Sequence, residues 1–280
     1  MLKVTEQASL YDDLEQKTIH DLLTEINGED CKVALAVSEA LPQVEGFVTA
    51  LVQRMQEGGR LFYIGAGTSG RLGVLDASEI PPTFGVPSER VIGLIAGGDG
   101  ALRRSVEKAE DDSEAGWCDL LPFSPTPMDS LVGIAASGTT PYVVGALTTA
   151  RCQGLLTAAI TSNPDSLLSL TAQFAIEIVV GPEYVTGSSR MKSGTAQKMV
   201  LNMISTAVMI RLGRVRGNRM VNMQLSNDKL VDRGTRMVAE TLGIGYEEAR
   251  HRLLAEGSVA AAICKGQGKG VSVFLSGEDK

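Results

Sequence analysis

Five short apolar runs recur between residues 61 and 180, and none shows the polar alternation of a half-exposed strand. They are LFYI (61–64), VIGLIA (91–96), SLVGIAA (130–136), LLTAAI (155–160) and FAIEIVV (174–180). Runs of this kind are typical of strands that are covered on both faces of a parallel sheet. Helical patterns such as ALRRSVEKAEDD (101–112) and PYVVGALTTARCQ (141–153) lie between them. This repetition of strand, turn and helix predicts an α/β fold built on a parallel sheet.

Helical periodicity also flanks the region of the apolar runs. Residues 12–57 predict helices that break near Gly28 and Pro42, and residues 190–213 predict one long, largely buried helix. Residues 218–263 predict a small polar helical bundle, whereas the last residues, 265–280, have no helical period. We therefore divide the chain into an N-terminal helical segment (1–51), a central α/β domain (52–215) and a C-terminal helical region (216–280).

The composition narrows the classes of function. At 280 residues the chain has room for one large α/β domain and a smaller appendage, and a net charge of −7 argues against general nucleic-acid binding. No apolar run approaches the roughly 20 residues that span a bilayer, and the polar, acidic N-terminus lacks a signal-peptide pattern. The scattered cysteines are typical of reduced cytosolic thiols, and only His20 and His251 could serve a histidine metal site. We expect a cytoplasmic protein with no nucleic-acid, membrane or metal partner.

The first apolar run leads into Gly65-Ala66-Gly67-Thr68-Ser69-Gly70, which matches the glycine pattern of dinucleotide-binding loops. Two features weigh against a dinucleotide. That pattern expects an acidic residue at the end of the next strand, whereas VIGLIA is followed by two glycines. The variable positions of the loop are the hydroxyl residues Thr68 and Ser69, which can donate to phosphate or sugar oxygens. The loop is therefore a better candidate for a sugar phosphate.

Similar hydroxyl-rich turns follow the later strands, at 137–140, 161–163 and 186–195. In an open parallel sheet these turns gather at the carboxyl edge, where ligands bind and where helix N-termini favour an anion. One such turn is more often only a turn or a helix cap, but four at one edge favour a binding site. The candidate binding residues are Gly67, Thr68, Ser69, Ser137, Gly138, Thr139, Thr140, Ser188, Ser189 and Lys192.

Two glutamates are candidates for proton transfer. Glu79 lies near the end of the helix predicted after the first loop, where the helix dipole disfavours a carboxylate. Glu110 ends the helix predicted after the second strand, and a solvated charge run is its simpler interpretation. Two carboxyl groups can act as acid and base if the fold brings them into one pocket.

At these residues the chain resembles a known family. It is similar to the N-acetylmuramic acid 6-phosphate etherases, bacterial enzymes with a sugar isomerase (SIS) domain that are related to the mammalian glucokinase regulatory protein. The likeness extends from about residue 24 to about residue 262 and is carried by IGAGTSGRLGVLDASEIPPTFG (64–85), GLIAGGDGALRRSVEKAEDD (93–112), VGIAASGTTPYV (132–143), VTGSSRMKSGTAQKMVLNMIS (185–205) and VNMQLSNDKLVDR (221–233). The resemblance implies a three-layer αβα SIS domain with a five-stranded parallel sheet, plus N-terminal helices and a small C-terminal helical bundle.

The resemblance also implies a reaction. The family cleaves the lactyl ether of N-acetylmuramic acid 6-phosphate with water, giving N-acetylglucosamine 6-phosphate and D-lactate. Glu79 matches the family's proton donor and Glu110 its second catalytic glutamate, the base, while the hydroxyl loops match the SIS ligand-binding loops. The chemistry needs an acid, a base and a phosphate anchor, without a metal or redox cofactor. A homodimer and a role in recycling cell-wall amino sugars are implied as well.

The chain departs from the family at three places. Many members read S-G-R-T-P-Y where this chain has Thr139, the segment before residue 24 follows the family poorly, and the usual C-terminal helices are incomplete. Two alternatives therefore stay open beside the etherase: a sugar-phosphate sensor without catalysis, and an SIS aldose–ketose isomerase. The isomerase would use a similar base at carbon 2 but would not need a second acid at the ether oxygen.

Overall fold

A computed structural model describes residues 3–106, 108–225 and 227–268. Contacts divide the chain into two compact units. The first comprises Met1–Ala77 and Val91–Ile204, and the second comprises Ser78–Arg90 and Ser205–Lys280. The three-part division drawn from the sequence stays a prediction.

The first unit is built on a parallel sheet of five strands in the order β2-β1-β3-β4-β5. The strands are β1 (Leu61–Gly65), β2 (Val91–Ile95), β3 (Ser130–Ile134), β4 (Leu156–Thr161) and β5 (Phe174–Glu177). Leu61 of β1 lies opposite Val91 of β2 and Ser130 of β3. Every residue of β1, β3 and β4 is buried, as expected for a sheet covered on both faces. The predicted five-stranded parallel sheet is confirmed.

Helices cover the two faces of the sheet because successive strand residues point in opposite directions. Phe62 and Ile64 of β1 belong to an apolar cluster with Tyr142, which lies on the helix Pro141–Cys152. Tyr63 points the other way, and a Cβ at Gly73 of the helix Gly67–Phe84 would lie 3.0 Å from the Cβ of Tyr63. The predicted three-layer α/β architecture is confirmed.

The helices of the first unit are α1 (Ile19–Asp30), α2 (Val33–Glu39), α3 (Leu41–Gln56), α4 (Gly67–Phe84), α5 (Gly100–Arg103), α6 (Ala115–Leu120), α7 (Pro141–Cys152), α8 (Leu167–Thr171) and α9 (Lys192–Arg211). Two of them, α4 and α9, continue into the second unit. The N-terminal helices begin at Ile19 and not at residue 12, because Thr18 caps α1 by accepting a hydrogen bond from the Asp21 N–H.

The helix predicted over residues 101–112 is wrong, since only Gly100–Arg103 is helical. Lys108 has a φ of 63°, which a right-handed helix cannot accommodate. The carbonyl of Glu110 accepts instead from the N–H of Tyr142, at 3.0 Å. The expected end of α4 near Glu79 is also wrong, because α4 continues through Pro81 and Pro82. Proline removes a helical donor and restricts its predecessor, which is why the sequence favours an earlier end.

The second unit contains a short antiparallel pair, β6 (Val215–Arg216) and β7 (Arg219–Met220), which the sequence did not predict. Its helices are α10 (Asp228–Leu242), α11 (Tyr246–Glu256) and α12 (Val259–Gly266). They share a core in which Val238, Leu253 and Ile263 are buried. The small C-terminal bundle is therefore confirmed, whereas the prediction of an aperiodic end concerns mostly residues 269–280, which lie outside the described residues.

Within the described residues no single helix has the length and apolar character needed to cross a membrane. The stretches Ile19–Glu39 and Leu41–Gln56 meet that test only as a pair bent by 56°.

Candidate active site

The turn between β1 and α4 is tight because two glycines meet there. A Cβ on Gly70 would lie 2.6 Å from the carbonyl oxygen of Gly65, so the backbones of strand and helix can approach only without side chains. Gly67 has a φ of 53°, a left-handed conformation that glycine tolerates. Thr68 and Ser69 form the first turn of α4, and the described residues supply no acceptor for their N–H groups. This helix start therefore offers unused donors to an anion.

The hydroxyl of Ser69 is held by Gln197 of α9. Ser69 is 8% exposed, and its Oγ donates to Gln197 Oε1 at 2.9 Å. The other amide atom, Gln197 Nε2, is buried and has no hydrogen-bond partner among the described residues. If this amide flipped, Nε2 would donate to the Ser69 hydroxyl, and the serine proton would then be available to a ligand. Sequence reasoning missed Gln197 because nothing distinguishes it from other polar residues of a long helix.

The loop Ser137–Thr140 follows β3 and leads into α7. Gly138 has a φ of 65° and packs against Ser166, where a Cβ would collide with that side chain. The backbone N–H and the hydroxyl of Thr139 lie 3.3 Å from Ser137 Oγ and donate to it. Because Ser137 accepts these bonds, its own proton remains available to a ligand.

Glu110 lies beside this loop through its backbone. Its carbonyl accepts from the N–H of Tyr142 in the first turn of α7, two residues after Thr140. The backbone at Ser113 packs closely against Gly145 of the same helix. Any Cβ at position 145 would collide with the Ser113 carbonyl, so this contact requires glycine. The Glu110 side chain is exposed. The structure thus brings Glu110 and the Ser137–Thr140 loop together.

The start of α9 is already occupied by an acidic side chain. Glu183, which is 1% exposed, accepts from the N–H of Lys192 and from the N–H of Ser193, both at 2.9 Å. The N–H of Gly194 donates to the Ser189 carbonyl at 3.0 Å. These donors are therefore engaged within the protein, unlike those of α4. The half-buried Ser188 and Ser189 precede this capped end.

The loop start of α9 meets the start of α4. A Cβ on Gly194 would lie 3.4 Å from the methyl group of Thr68. Since Gly194 is bonded to Ser189, the residues Thr68 and Ser69 lie next to the Ser188–Ser189 turn. Two of the predicted hydroxyl loops are thus neighbours at the carboxyl edge of the sheet.

Lys192 is buried in an ion pair. Its ammonium donates to Glu29 Oε2 of α1 at 2.6 Å, and both side chains are at most 3% exposed. Burial alone would raise the pKa of Glu29, but hydrogen bonds from Lys192, Lys32 and Tyr11 outweigh it and lower the pKa to about 2. The charge of Lys192 is thereby neutralised inside the protein. No pattern in the sequence indicates Glu29 as the partner of Lys192.

Glu79 is the other predicted catalytic residue. It lies in α4 and is exposed. It falls in the second unit, whereas Glu110 and the hydroxyl loops fall in the first. Within the described residues, no three or more histidine, cysteine, aspartate or glutamate side chains are grouped to hold a metal ion.

The chain is similar in sequence to a known family model and to several known proteins. Residues 43–151 match the family model described as glucokinase regulatory protein N-terminal SIS domain. The chain is 64% identical over 262 residues to an N-acetylmuramic acid 6-phosphate etherase of Bacteroides thetaiotaomicron, which spans 94% of this chain and 95% of that protein. It is 65% identical over 260 residues to one from Porphyromonas gingivalis, with 93% and 95% covered.

A solved phosphoheptose isomerase from Francisella tularensis has a similar fold. Its TM-score is 0.53 at 15% identity, and the likeness covers 69% of this chain and 98% of that one. At this identity the likeness is one of fold alone.

Proposed function

The chain belongs to the family of N-acetylmuramic acid 6-phosphate etherases, and from this premise we propose that it cleaves the D-lactyl ether of N-acetylmuramic acid 6-phosphate. The products are N-acetylglucosamine 6-phosphate and D-lactate. The observation that carries the proposal is the hydrogen bond between the backbone carbonyl of Glu110 and the N–H of Tyr142, which holds the Glu110 backbone, with its exposed side chain, near the Ser137–Thr140 loop.

We infer that the first turn of α4 binds the sugar phosphate. Its support is the set of unused N–H groups at Thr68 and Ser69, together with the positive end of the helix dipole. The proposed binding set is Gly67, Thr68, Ser69, Ser137, Gly138, Thr139, Thr140, Ser188, Ser189 and Lys192. Because the ammonium of Lys192 is paired with Glu29, we propose that this residue contributes by supporting the adjacent loop.

The proposed chemistry is an elimination followed by an addition. In the open-chain aldehyde, the carbonyl acidifies the hydrogen on carbon 2, and Glu110 removes it as the base. A double bond forms between carbons 2 and 3 while the bond from carbon 3 to the lactyl oxygen breaks, and Glu79 protonates the departing lactate. Water then adds across the double bond, with the hydroxyl at carbon 3 and a proton at carbon 2. Such positioned acid–base groups each contribute on the order of 10²–10⁴ in rate.

Three further proposals accompany the activity. We propose a cytoplasmic location, a homodimer and a role in recycling cell-wall amino sugars. The family relationship supports all three, and the acidic chain with its free thiols is consistent with a cytoplasmic protein.

A lactate assay tests the activity directly. The purified protein is mixed with N-acetylmuramic acid 6-phosphate in deuterated water, and we expect D-lactate and a product with deuterium on carbon 2. Protein that converts no substrate would refute the etherase. Lactate without the label would refute proton abstraction at carbon 2.

Variants test the two glutamates. Glu79→Gln and Glu110→Gln should each lower kcat by about 10² or more while the Kd for N-acetylglucosamine 6-phosphate changes little. Asp111→Asn, which removes an exposed carboxylate next to Glu110, is the matched control and should keep full activity. If Glu110→Gln kept the kcat of the unaltered protein, Glu110 would not be the base.

A further inference from the structure

The N-terminal segment Lys3–Ser9 crosses the carboxyl edge of the sheet and contacts the loops that follow β3, β4 and β5. The middle of the segment is anchored by Thr5, which is 2% exposed. Its N–H donates to Asn163 Oδ1 at 3.2 Å, and Asn163 Nδ2 donates back to Thr5 Oγ1 at 2.9 Å. Asn163 Nδ2 also lies 3.1 Å from the carbonyl of Ser137 and donates to it. Thr5 and the Ser137 loop are therefore tied to one buried amide.

The far end of the segment is anchored at the loop after β5. The N–H of Ser9 donates to Thr186 Oγ1 at 2.8 Å, and its hydroxyl donates to the Tyr184 carbonyl at 2.7 Å. Chain termini are usually poorly ordered unless contacts hold them down. Here two anchors, four residues apart, fix the backbone on both sides of Glu6 and leave Lys3 only two residues from a buried contact.

Lys3 brings a positive charge to a hydroxyl loop. Its ammonium donates to Thr139 Oγ1 at 2.8 Å. Among the described residues no carboxylate lies within ion-pair distance of Lys3, whereas Lys17, Lys32 and Lys192 of the same unit are each paired with a glutamate. A neutral hydroxyl does not balance the charge of an ammonium. The Ser137–Thr140 loop thus carries an uncompensated cation beside the Ser137 hydroxyl.

We propose that Lys3 is a substrate-binding residue, whose ammonium binds an oxyanion of the sugar held by the Ser137–Thr140 loop, and that Thr5 is the positioning residue that places it there. The proposal rests on the proposed function, because that function supplies an anionic sugar to this loop. The substrate carries two oxyanions, the 6-phosphate and the lactyl carboxylate. Either has the charge that an ammonium binds well.

Two sugars distinguish whether Lys3 binds the 6-phosphate or the lactyl carboxylate. N-acetylglucosamine 6-phosphate carries the phosphate without the carboxylate, and N-acetylmuramic acid carries the carboxylate without the phosphate. Their Kd values are measured by isothermal titration calorimetry on the full chain and on Lys3→Met, Lys3→Arg and Thr5→Val. Lys32→Met is the control, because it removes an ammonium that is 55% exposed and paired with Glu29.

For Lys3→Met we expect the Kd of one sugar to rise about 10-fold or more, as for the loss of a hydrogen bond to a charged group, while the Kd of the other stays within about twofold. The sugar that weakens identifies the oxyanion. Lys3→Arg should restore most of the affinity, since it keeps the charge. Thr5→Val should weaken the same sugar to a smaller extent, because the ammonium remains but loses its anchor. Lys32→Met should bind both sugars normally.

The proposal is overturned if Lys3→Met binds both sugars as the unaltered protein does, or if Lys32→Met weakens the same sugar equally. Binding and turnover are measured separately. Unaltered protein that binds the sugars but releases no D-lactate would refute the etherase activity, and a selective loss in Lys3→Met would still support Lys3. Unaltered protein that bound neither sugar would overturn the proposal for Lys3, while the lactate assay would still decide the etherase activity.

Discussion

The buried pair of Glu29 and Lys192 leads to a sharp prediction about stability. Lys192→Met keeps a long side chain but removes the ammonium, so Glu29 stays buried at 3% exposure with only Lys32 and Tyr11 as donors. Removing one partner of a buried ion pair typically costs about 3–5 kcal/mol. The depressed pKa of Glu29, about 2 against a usual 4.5, corresponds to a net stabilisation of about 3 kcal/mol after the cost of burying the carboxylate, so its partners together supply more than this. We therefore expect Lys192→Met to lower the free energy of unfolding by about 3 kcal/mol.

Lys32 is a control on the same carboxylate. Its ammonium also pairs with Glu29, but it is 55% exposed whereas Lys192 is 2% exposed. Water around this half-exposed ammonium weakens its attraction for the carboxylate, and Lys192 still pairs with Glu29, so Lys32→Met should cost less than about 1 kcal/mol. Urea unfolding at pH 7, followed by circular dichroism, measures both variants. Equal losses for the two lysines would refute the reasoning from burial.

The same pair predicts a pH dependence. The folded pKa of Glu29 lies below its unfolded value, so its contribution is complete above about pH 4.5 and is lost as the pH falls towards 2. In Glu29→Gln this part of the acid destabilisation should be absent. The double variant Glu29→Met with Lys192→Met should regain much of the stability that Lys192→Met loses, because no buried charge is left unpaired. A double variant less stable than Lys192→Met alone would contradict the ion-pair account.

Two further predictions concern the first glycine loop. Gln197→Glu places an acceptor-only carboxylate against Ser69, so the serine proton is held by this carboxylate and cannot be donated to a ligand. We expect the Kd for N-acetylglucosamine 6-phosphate to rise about 10-fold at pH 8. The loss of affinity should shrink at lower pH, as the new side chain gains a proton. Unchanged affinity would show that the Ser69 proton does not serve the phosphate. Gly70→Ala should cost about 2–3 kcal/mol in urea unfolding, because the new methyl group meets a backbone carbonyl at 2.6 Å. Gly100→Ala, with no atom within 4 Å of the new Cβ, should be nearly neutral, and equal losses would contradict the steric argument.

Much of the architecture follows from local patterns. The five apolar runs correspond to the five strands because a strand buried on both faces must be apolar throughout, whatever its neighbours are. The hydroxyl turns could be assigned to one edge because parallel strands all end there. The Gly65–Gly70 loop could be placed between strand and helix for the same reason. These inferences need only the spacing of residues along the chain.

The errors arise where distant residues decide the local structure. The charged residues before Glu110 favour a helix by composition. The backbone carbonyl of Glu110 instead accepts a hydrogen bond from the N–H of Tyr142, more than thirty residues later. The partners of Lys192 and Ser69 are likewise distant, at Glu29 and at position 197. No pattern within a short stretch of sequence predicts such long-range pairs. A buried lysine and a surface lysine are identical in the sequence.

The contacts of the N-terminal segment Lys3–Ser9 can form only late in synthesis of the chain. Ser9 and the partner that accepts from its N–H are 177 residues apart, and Thr5 is 158 residues from Asn163. At about 5–20 residues per second, a ribosome needs roughly 10–35 seconds to make the chain between the ends of the longer contact. Residues 3–9 are made well before these partners, so their contacts must wait for the later part of the chain. A nascent chain with a complete β1–β3 pair still lacks this cover, so the carboxyl edge of the sheet is finished late in translation.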